Sequence, residues 1–369
     1  MVYNLGAVGL GHWFNRLYVG LRDSSEFRVA KVAGVSGVEK KIKRLREMGL
    51  TEADYYMIEA NAPIPDRFYE GLDIVHISDP NDYHAEQTIG SLGRGKFTIT
   101  EKTWGVNREE FGRVAGFIKE RGLERRAYLH LHYLHKQLTL GLGELLSKYT
   151  REHGKVTRVA ATLFEAASNE DARRRAWLFS HRSGGLFMDV GIHLFEVIMA
   201  GGSGSTAVKD VGIFAVNRDY DAENPTGIEA DIAIEGEFFG RGACGSVRVA
   251  KGLGAGRRTV RFYFGSETYL DLEYLSSDQE YNSGSRGSWA LYDNGAKVEA
   301  GEPSGPNNSE IFVSQILDMC RGKGAGLTLD AASALFEPQW KYQEMVKGMR
   351  LEGSPEKVNA FVSRGMKLE

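Results

Sequence analysis

Short apolar runs alternate with amphipathic segments of helical period along the first third of the chain. The apolar runs have the length of buried strands, and a helix-length segment separates most successive runs. The predicted strands are Val2–Val8, Phe27–Val35, Leu72–Ser78, Phe97–Thr100 and Arg126–Leu131. The predicted helices are Phe14–Leu21, Val38–Met48, His84–Leu92 and Arg108–Arg121. This alternation predicts right-handed βαβ units and therefore a Rossmann-type, doubly wound parallel sheet.

The pattern changes after about residue 150, where strand-like runs follow one another through turn-rich segments. These runs are Val156–Phe164, Val208–Val216, Glu229–Phe238, Gly242–Val249, Thr259–Phe264 and Thr268–Leu275. Leu186–Ile198 and Leu335–Met349 are the main helical exceptions. A large, mostly antiparallel open sheet in an α+β domain is expected. We therefore predict a dinucleotide-binding domain over residues 1–130 and a substrate-binding and oligomerisation domain over residues 131–369.

Composition narrows the class of protein. The 369 residues are 42% hydrophobic and 26% charged, which is typical of a packed protein and excludes dominant disorder. A net charge of −3 provides no field that would favour nucleic acid or an anionic membrane. The sequence contains neither a run of about 18 apolar residues nor a recognisable secretion signal. Its two cysteines, Cys244 and Cys320, form no disulfide or zinc pattern. A cytoplasmic location is expected.

A glycine pair, Gly9 and Gly11, follows the first strand and opens the first helix. The first glycine of such a pair permits a tight turn, and the second lets the backbone approach a pyrophosphate at the helix N-terminus. Phe14 occupies the place of the usual third glycine, so a purely structural turn is the alternative. The residues predicted to contact a dinucleotide here are Gly9, Gly11, His12 and Trp13.

The end of the second strand bears on the choice of nicotinamide cofactor. Ser36 stands where an NAD-binding protein has an acidic residue, and Lys40 and Lys41 begin the next helix. A small polar residue with nearby cations accommodates the 2′-phosphate of NADP, which is therefore the preferred cofactor. Glu39 keeps NAD as the alternative, and the lysines could equally belong to a solvated helix face.

Three further segments occur in a characteristic order. They are Ser78-Asp79-Pro80-Asn81-Asp82-Tyr83-His84, Glu101-Lys102-Thr103, and Gly184-Gly185-Leu186-Phe187-Met188-Asp189-Val190-Gly191-Ile192-His193. Together they resemble the Gfo/Idh/MocA family of sugar and polyol oxidoreductases, although Thr103 replaces a usual proline. The resemblance implies a homodimer or homotetramer. It also implies cofactor contacts from Asp79, Pro80, Asn81, His84, Glu101 and Lys102.

The chemistry of alcohol oxidation assigns roles to three of these residues. A base must take the hydroxyl proton while the hydride leaves the same carbon. Asp189 and His193 are four residues apart, so on one helix they share a face, where a carboxylate can orient the base or hold the substrate. Lys102 follows a parallel strand and can polarise the reacting oxygen. The alternative is a helix-capping aspartate, a core histidine and a surface lysine.

A second resemblance concerns the substrate. Glu101–Gly105 and His132–Lys136 resemble two segments of the glucose-6-phosphate dehydrogenase family, in which the second segment holds the sugar phosphate. The resemblance implies that His132, Tyr133 and Lys136 hold the substrate. Leu131 stands where that family has an aspartate, so Asp189 is the carboxylate expected to orient His193.

Two other groups of residues are candidates for binding. His130, His132 and His135 could suggest a metal, but no matching set of ligands completes a site, so we expect none. Arg174 and Trp177 are predicted to face an anionic substrate group, the alternative being a solvated helix face.

The sequence therefore predicts an NAD(P)-dependent oxidoreductase that acts on a sugar, a polyol or a sugar phosphate. An aldose or aldose 6-phosphate 1-dehydrogenase is the first choice. No nucleic-acid or membrane partner is expected. Two alternatives are a glycoside hydrolase that uses NAD transiently and a non-catalytic cofactor-binding regulator. The presence of Lys102, Asp189 and His193 disfavours the regulator, which would need none of them.

Overall fold

The computed structural model describes residues 2–34, 38–59, 62–165, 187–202, 211–213, 227–233, 239–251, 256–276, 285–323 and 327–346. The chain divides into two compact units. The first unit contains Met1–Leu131 and Pro306–Leu329, and the second contains His132–Gly305 and Asp330–Glu369. No helix in these described ranges is long and apolar enough to cross a membrane.

The first unit is built on a six-stranded parallel sheet with the order β3-β2-β1-β4-β5-β6. Its strands are β1 (Tyr3–Val8), β2 (Phe27–Gly34), β3 (Asp54–Met57), β4 (Ile74–Ile77), β5 (Phe97–Glu101) and β6 (Ala127–His130). Its helices up to β6 are α1 (His12–Arg22), α2 (Val38–Glu47), α3 (Asp66–Tyr69), α4 (His84–Gly93) and α5 (Arg108–Arg121). The predicted doubly wound sheet is confirmed, and β3 is an edge strand that the sequence pattern did not reveal.

Local signals fix the ends of α5. The Asn107 side chain accepts a hydrogen bond of 2.9 Å from the backbone N–H of Glu110 and so caps the N-terminus. Gly122 ends the helix in the left-handed conformation, with φ of 62°. The helix therefore begins and ends where the sequence pattern predicted.

In the second unit, an eight-stranded sheet has the order β14-β13-β12-β11-β7-β10-β9-β8. Its strands are β7 (Val156–Glu165), β8 (Val211–Ile213), β9 (Gly227–Ala233), β10 (Phe239–Lys251), β11 (Arg257–Tyr263), β12 (Tyr269–Glu273), β13 (Ser288–Asp293) and β14 (Ala296–Gly301). Only the β7–β10 pairing is parallel among the pairs described. The helices described between β6 and β8 are α6 (Gln137–Leu140), α7 (Leu142–His153) and α8 (Ile192–Gly201). The predicted, mostly antiparallel sheet is confirmed.

Among the described residues, two helices follow β14: α9 (Asn308–Cys320) and α10 (Leu329–Val346). Helix α9 returns to the first unit, where Phe312 and Ile316 are buried in the same apolar cluster as Leu5 and Phe14. The predicted division at residue 130 therefore differs from the structure over residues 306–329. The apolar face of α9 completes the core of the first unit, which a boundary drawn from the local pattern does not reveal.

Candidate active site

The turn after β1 has the shape that close backbone approach requires. Gly9 has φ of 89°, and a Cβ atom at this position would lie 2.4 Å from the backbone nitrogen of Asp79. Gly11 caps the N-terminus of α1 with φ of −78°, and a Cβ atom there would meet nothing within 4 Å. The space beside Gly11, at the start of an 11-residue helix, fits the pyrophosphate of a dinucleotide.

Trp13 and His12 follow this turn and were also predicted to contact the dinucleotide. The side chain of Trp13 packs toward the core of the first unit, with its ring centroid 6.1 Å from that of His130. His12 begins α1, but its side chain lies outside the described part of the structure.

The cations at the start of α2 differ in their exposure. Lys40 is exposed, whereas Lys41 is half-buried, and burial lowers the pKa of the Lys41 ammonium. A partly dehydrated cation gains more from a nearby anion than an exposed one. The predicted contact from Ser36 lies outside the described residues.

The turn after β4 buries a carboxyl group. The Asp79 side chain is 4% exposed, and Gln87 Nε2 donates a hydrogen bond to its Oδ2 atom. Burial raises the pKa of Asp79 to about 7 against the opposing effect of the Gln87 hydrogen bond. Pro80 precedes a single 3₁₀ turn, Asn81–Tyr83, in which Asn81 is buried.

His84 begins α4 and is 1% exposed. Its Nδ1 atom lies 2.9 Å from the Thr103 carbonyl oxygen, and its Nε2 atom lies 2.8 Å from the Asp79 carbonyl oxygen. Both ring nitrogens therefore face backbone carbonyls of the first unit. The predicted cofactor contact from His84 stays a prediction, because this geometry assigns the ring to the backbone.

Glu101 ends β5 with its carboxylate buried between two histidines. Its Oε1 atom lies 3.1 Å from His76 Nε2 and 2.6 Å from His130 Nδ1. Burial by itself would raise the pKa of Glu101, but the charge and hydrogen bonds of His130 and His76 hold it below its usual range. Lys102 follows, half-buried, at the carboxyl edge of the sheet, and the Lys102–Thr103 peptide bond is cis.

The second unit supplies a histidine with a fixed orientation. His193 Nδ1 lies 2.9 Å from Oε1 of Glu196, which is fully buried on the same helix, α8. Glu196 Oε2 accepts hydrogen bonds from the backbone N–H groups of Tyr133 and Leu134, at 2.7 Å and 3.1 Å. The two backbone bonds hold the Glu196 carboxylate in place, and its Oε1 atom accepts a hydrogen bond from Nδ1 of His193. The proton of the ring is therefore assigned to Nδ1, and Nε2 is the basic nitrogen.

Three residues that the sequence singled out come together here. The Tyr133 ring stacks on the His193 ring, with centroids 4.8 Å apart and planes inclined by 17°. The His132 ring packs edge-on at a centroid distance of 4.1 Å from His193. The segment after β6 and the start of α8 therefore form one aromatic cluster around the candidate base.

The carboxylate that contacts His193 is Glu196, whereas the sequence pattern predicted Asp189. Asp189 is half-buried in a π-helical stretch, Phe187–Gly191, which precedes α8. The four-residue spacing therefore does not run along one α-helix, and it does not place Asp189 and His193 on a common α-helical face. Glu196 orients His193, and its i,i+3 spacing was the signal that the sequence reasoning missed.

Lys136 is a buried residue and does not lie at the surface. It is 1% exposed, its Nζ atom donates to the Leu275 carbonyl oxygen at 3.3 Å, and the ammonium lies 4.4 Å from the Tyr133 ring centroid. Phosphate binding by His132, Tyr133 and Lys136 stays a prediction.

The other predicted binding residues, Arg174 and Trp177, lie outside the described residues. Within the described ranges, no group of three or more histidine, cysteine or acidic residues is arranged to hold a metal ion.

Comparison with known proteins identifies the fold. No family model matches the chain, and no curated protein matches its sequence significantly. Among solved structures, a putative NADPH-dependent oxidoreductase from Desulfitobacterium hafniense is 18% identical with a TM-score of 0.73, covering 94% of this chain and 96% of its own. The aldose-aldose oxidoreductase of Caulobacter crescentus, complexed with glycerol, is 16% identical with a TM-score of 0.72, covering 95% and 99%.

A third similar structure is KijD10, a 3-ketoreductase from Actinomadura kijaniata in complex with NADP and TDP-benzene. It is 15% identical with a TM-score of 0.71, covering 94% of this chain and 97% of its own. At such identities the similarity establishes a shared fold and nothing beyond it. The resemblance to glucose-6-phosphate dehydrogenase gains no support from these comparisons.

Proposed function

We propose that the protein is an NADP-dependent oxidoreductase of the Gfo/Idh/MocA type that acts on a sugar, a polyol or a sugar phosphate. The observation that carries this proposal is the His193–Glu196 pair, in which a buried carboxylate orients the imidazole that we assign as the base. The glycine turn after β1 and the similarity of the fold to oxidoreductases support the choice of cofactor.

Three side chains, His193, Lys102 and Asp189, have proposed roles in the oxidation of the substrate. Held at the glycine turn after β1, NADP would supply the acceptor for the hydride that leaves the oxidised carbon. His193 Nε2 takes the hydroxyl proton, and the buried Glu196 carboxylate stabilises the resulting imidazolium. Lys102 stabilises negative charge on the reacting oxygen, and Asp189 binds a neighbouring substrate hydroxyl. An aldose or aldose 6-phosphate oxidised at C1 is the first substrate to test.

A screen for reduced nicotinamide tests the proposal as a whole. The purified protein is incubated with NADP or NAD and with free aldoses, inositols or hexose 6-phosphates, and NADPH or NADH formation is followed by absorbance. We expect NADPH to form with at least one of these substrates, faster than NADH. In a parallel incubation with glycosides, release of sugar with no net NADPH or NADH formation would instead favour the NAD-using hydrolase.

Two glycine substitutions test the cofactor site. Gly11→Ala introduces a methyl group into open space, so we expect unchanged thermal stability but an NADPH dissociation constant raised at least about tenfold. Gly9→Ala forces a positive φ and a contact with Asp79, and should lower the free energy of unfolding by about 2 kcal/mol or more. NADPH fluorescence titration and thermal unfolding measure the two effects. Unchanged NADPH affinity in Gly11→Ala would contradict the assignment.

Lys41 is expected to select NADP over NAD. Loss of a charge-assisted contact with the 2′-phosphate should raise the dissociation constant of NADPH about tenfold to hundredfold in Lys41→Ala. NADH, which lacks that phosphate, should bind unchanged. Lys43→Ala, an exposed lysine on the same helix, is the matched control. Equal weakening of NADPH and NADH binding would remove the proposed selectivity.

A further inference from the structure

Lys102 lies between two residues that buried histidines hold in place. His76 and His130 contact the Glu101 side chain on one side, and His84 contacts the Thr103 carbonyl on the other. We propose that these three histidines are positioning residues that fix the backbone from which Lys102 projects. The inference rests on the proposed function, in which Lys102 acts on the substrate oxygen.

On the N-terminal side, two imidazoles converge on one oxygen. His76 and His130 are each 2% exposed, and both face Oε1 of Glu101. Because the pKa of Glu101 is lowered, the carboxylate is ionised and each facing nitrogen carries a proton. The second nitrogen of His76, Nδ1, is buried and has no hydrogen-bond partner among the described residues. The hydrogen bond of the His76 ring is therefore the one from Nε2 to Glu101.

Apolar rings keep this cluster in place. The Phe312 ring of α9 lies 4.2 Å from the His130 ring and 6.2 Å from the His76 ring, measured between centroids. Phe14 lies 6.4 Å from His76 on the same measure. The returning helix α9 therefore supports the histidines that hold Glu101, which gives it a part in positioning the segment after β5.

On the C-terminal side, His84 connects two backbone segments. Nδ1 lies 2.9 Å from the Thr103 carbonyl oxygen, and Nε2 lies 2.8 Å from the Asp79 carbonyl oxygen in the turn after β4. Burial lowers the pKa of His84, and the two carbonyl contacts oppose that effect. A protonated ring serves both carbonyls and a neutral ring serves only one. The proposal requires only the bond from Nδ1 to Thr103.

The position of Lys102 depends on these histidine contacts because the regular sheet ends beside it. Strand β5 stops at Glu101, and α5 begins only at Arg108. Between them, the Thr103 hydroxyl donates to the Gly105 carbonyl oxygen at 2.9 Å, and the Trp104 side chain is 1% exposed. A displacement of about 1 Å in a catalytic group can cost about 100-fold in rate. Fixing Glu101 and Thr103 therefore matters for the proposed reaction.

Two substitutions at His84 separate its two contacts. The amide nitrogen of Asn falls near the position of Nδ1, and that of Gln falls near the position of Nε2. His84→Asn should retain the bond to Thr103 and lose less than about tenfold in kcat, whereas His84→Gln should lose about 100-fold. If His84 acts through Lys102 and makes no cofactor contact of its own, the KM for NADP stays within about twofold of the original value in both variants. Equal losses in the two variants would overturn the proposal.

A double-mutant cycle tests whether His84 acts through Lys102. If it does, His84→Gln should cause no further loss of kcat in a Lys102→Ala background. Additive losses would show that His84 acts independently of Lys102, and the positioning role would be wrong.

A readout that needs no turnover separates this inference from the proposed function. The rate at which an amine-selective acylating reagent labels Lys102 is measured by peptide mass spectrometry, with exposed Lys119 as internal reference. Relative to Lys119, the labelling rate of Lys102 should change at least about threefold in His84→Gln and stay near the original value in His84→Asn. Unchanged labelling in both overturns the inference even if NADPH is formed. Changed labelling with no NADPH from any sugar overturns the proposed function instead.

A second pair of variants keeps the test decisive if the His84 variants do not fold. His130→Asn retains a donor near Nδ1, which faces Glu101, and His130→Gln moves it away. The labelling of Lys102 should change more in His130→Gln than in His130→Asn. The same labelling rate in both would contradict positioning through Glu101.

Discussion

Replacing His193 by Gln is expected to lower kcat for NADP reduction by about 100-fold to 10,000-fold, the usual contribution of a general base. Glutamine has no basic nitrogen to take the substrate proton. NADPH affinity should be unchanged, because His193 is assigned to the substrate proton and the glycine turn to the cofactor. Steady-state kinetics on the substrate found by the screen, together with NADPH titration, measure both effects.

The matched control for this substitution is His153→Gln. His153 ends α7 in the same unit and has no part in the cluster around His193. Its replacement should leave kcat within about twofold of the original value. If His193→Gln were as active as His153→Gln, the assignment of the base would be wrong.

Replacing Lys102 by Ala is expected to lower kcat by about 100-fold to 1,000-fold, the size of effect seen when one donor to a developing oxyanion is removed. The loss should fall on kcat more than on the KM for NADP, because the ammonium is assigned to the substrate oxygen in the transition state. Initial rates over a range of substrate and NADP concentrations separate the two parameters.

Lys119→Ala provides the control, since Lys119 is an exposed lysine on α5. It should leave both parameters unchanged. An effect of Lys102→Ala confined to the KM for NADP would assign this lysine to cofactor binding alone. Unchanged turnover would remove it from the mechanism.

Much of the fold could be predicted because the central strands are buried on both faces. Strand β4, Ile74–Ile77, is fully buried and appears in the sequence as a short apolar run that only His76 interrupts. Strands β3 and β14 lie at sheet edges, and all of their residues are exposed or partly exposed. With no buried face to enforce an apolar pattern, these strands gave the sequence reasoning no signal.

Contacts between distant segments explain what else was missed. Asn307 and Glu310 form a capping box that begins α9, but a cap marks where a helix starts and not which unit it packs against. His76 and His130 lie 25 and 29 residues from Glu101 in sequence. They meet it because β4, β5 and β6 are neighbours in the sheet, which no local spacing reveals.

The assignment of the carboxylate beside His193 shows how a motif can favour the wrong neighbour. The sequence pattern drew attention to Asp189, and a regular helix would have placed it on the face of His193. The π-helical turn at Phe187–Gly191 changes that register, and hydrophobic periodicity does not detect a single turn of this kind. Glu196, inside an apolar helix, was passed over although a buried charge requires a partner.

Deuterium transfer tests the central claim most directly. The active sugar from the screen is supplied with deuterium on every carbon, and the NADPH formed is analysed by mass spectrometry. If the protein oxidises a sugar C–H bond by hydride transfer, each NADPH formed carries one deuterium, and His193→Gln slows its formation without changing the label. NADPH without deuterium, or sugar turnover with no reduced cofactor, would contradict the account.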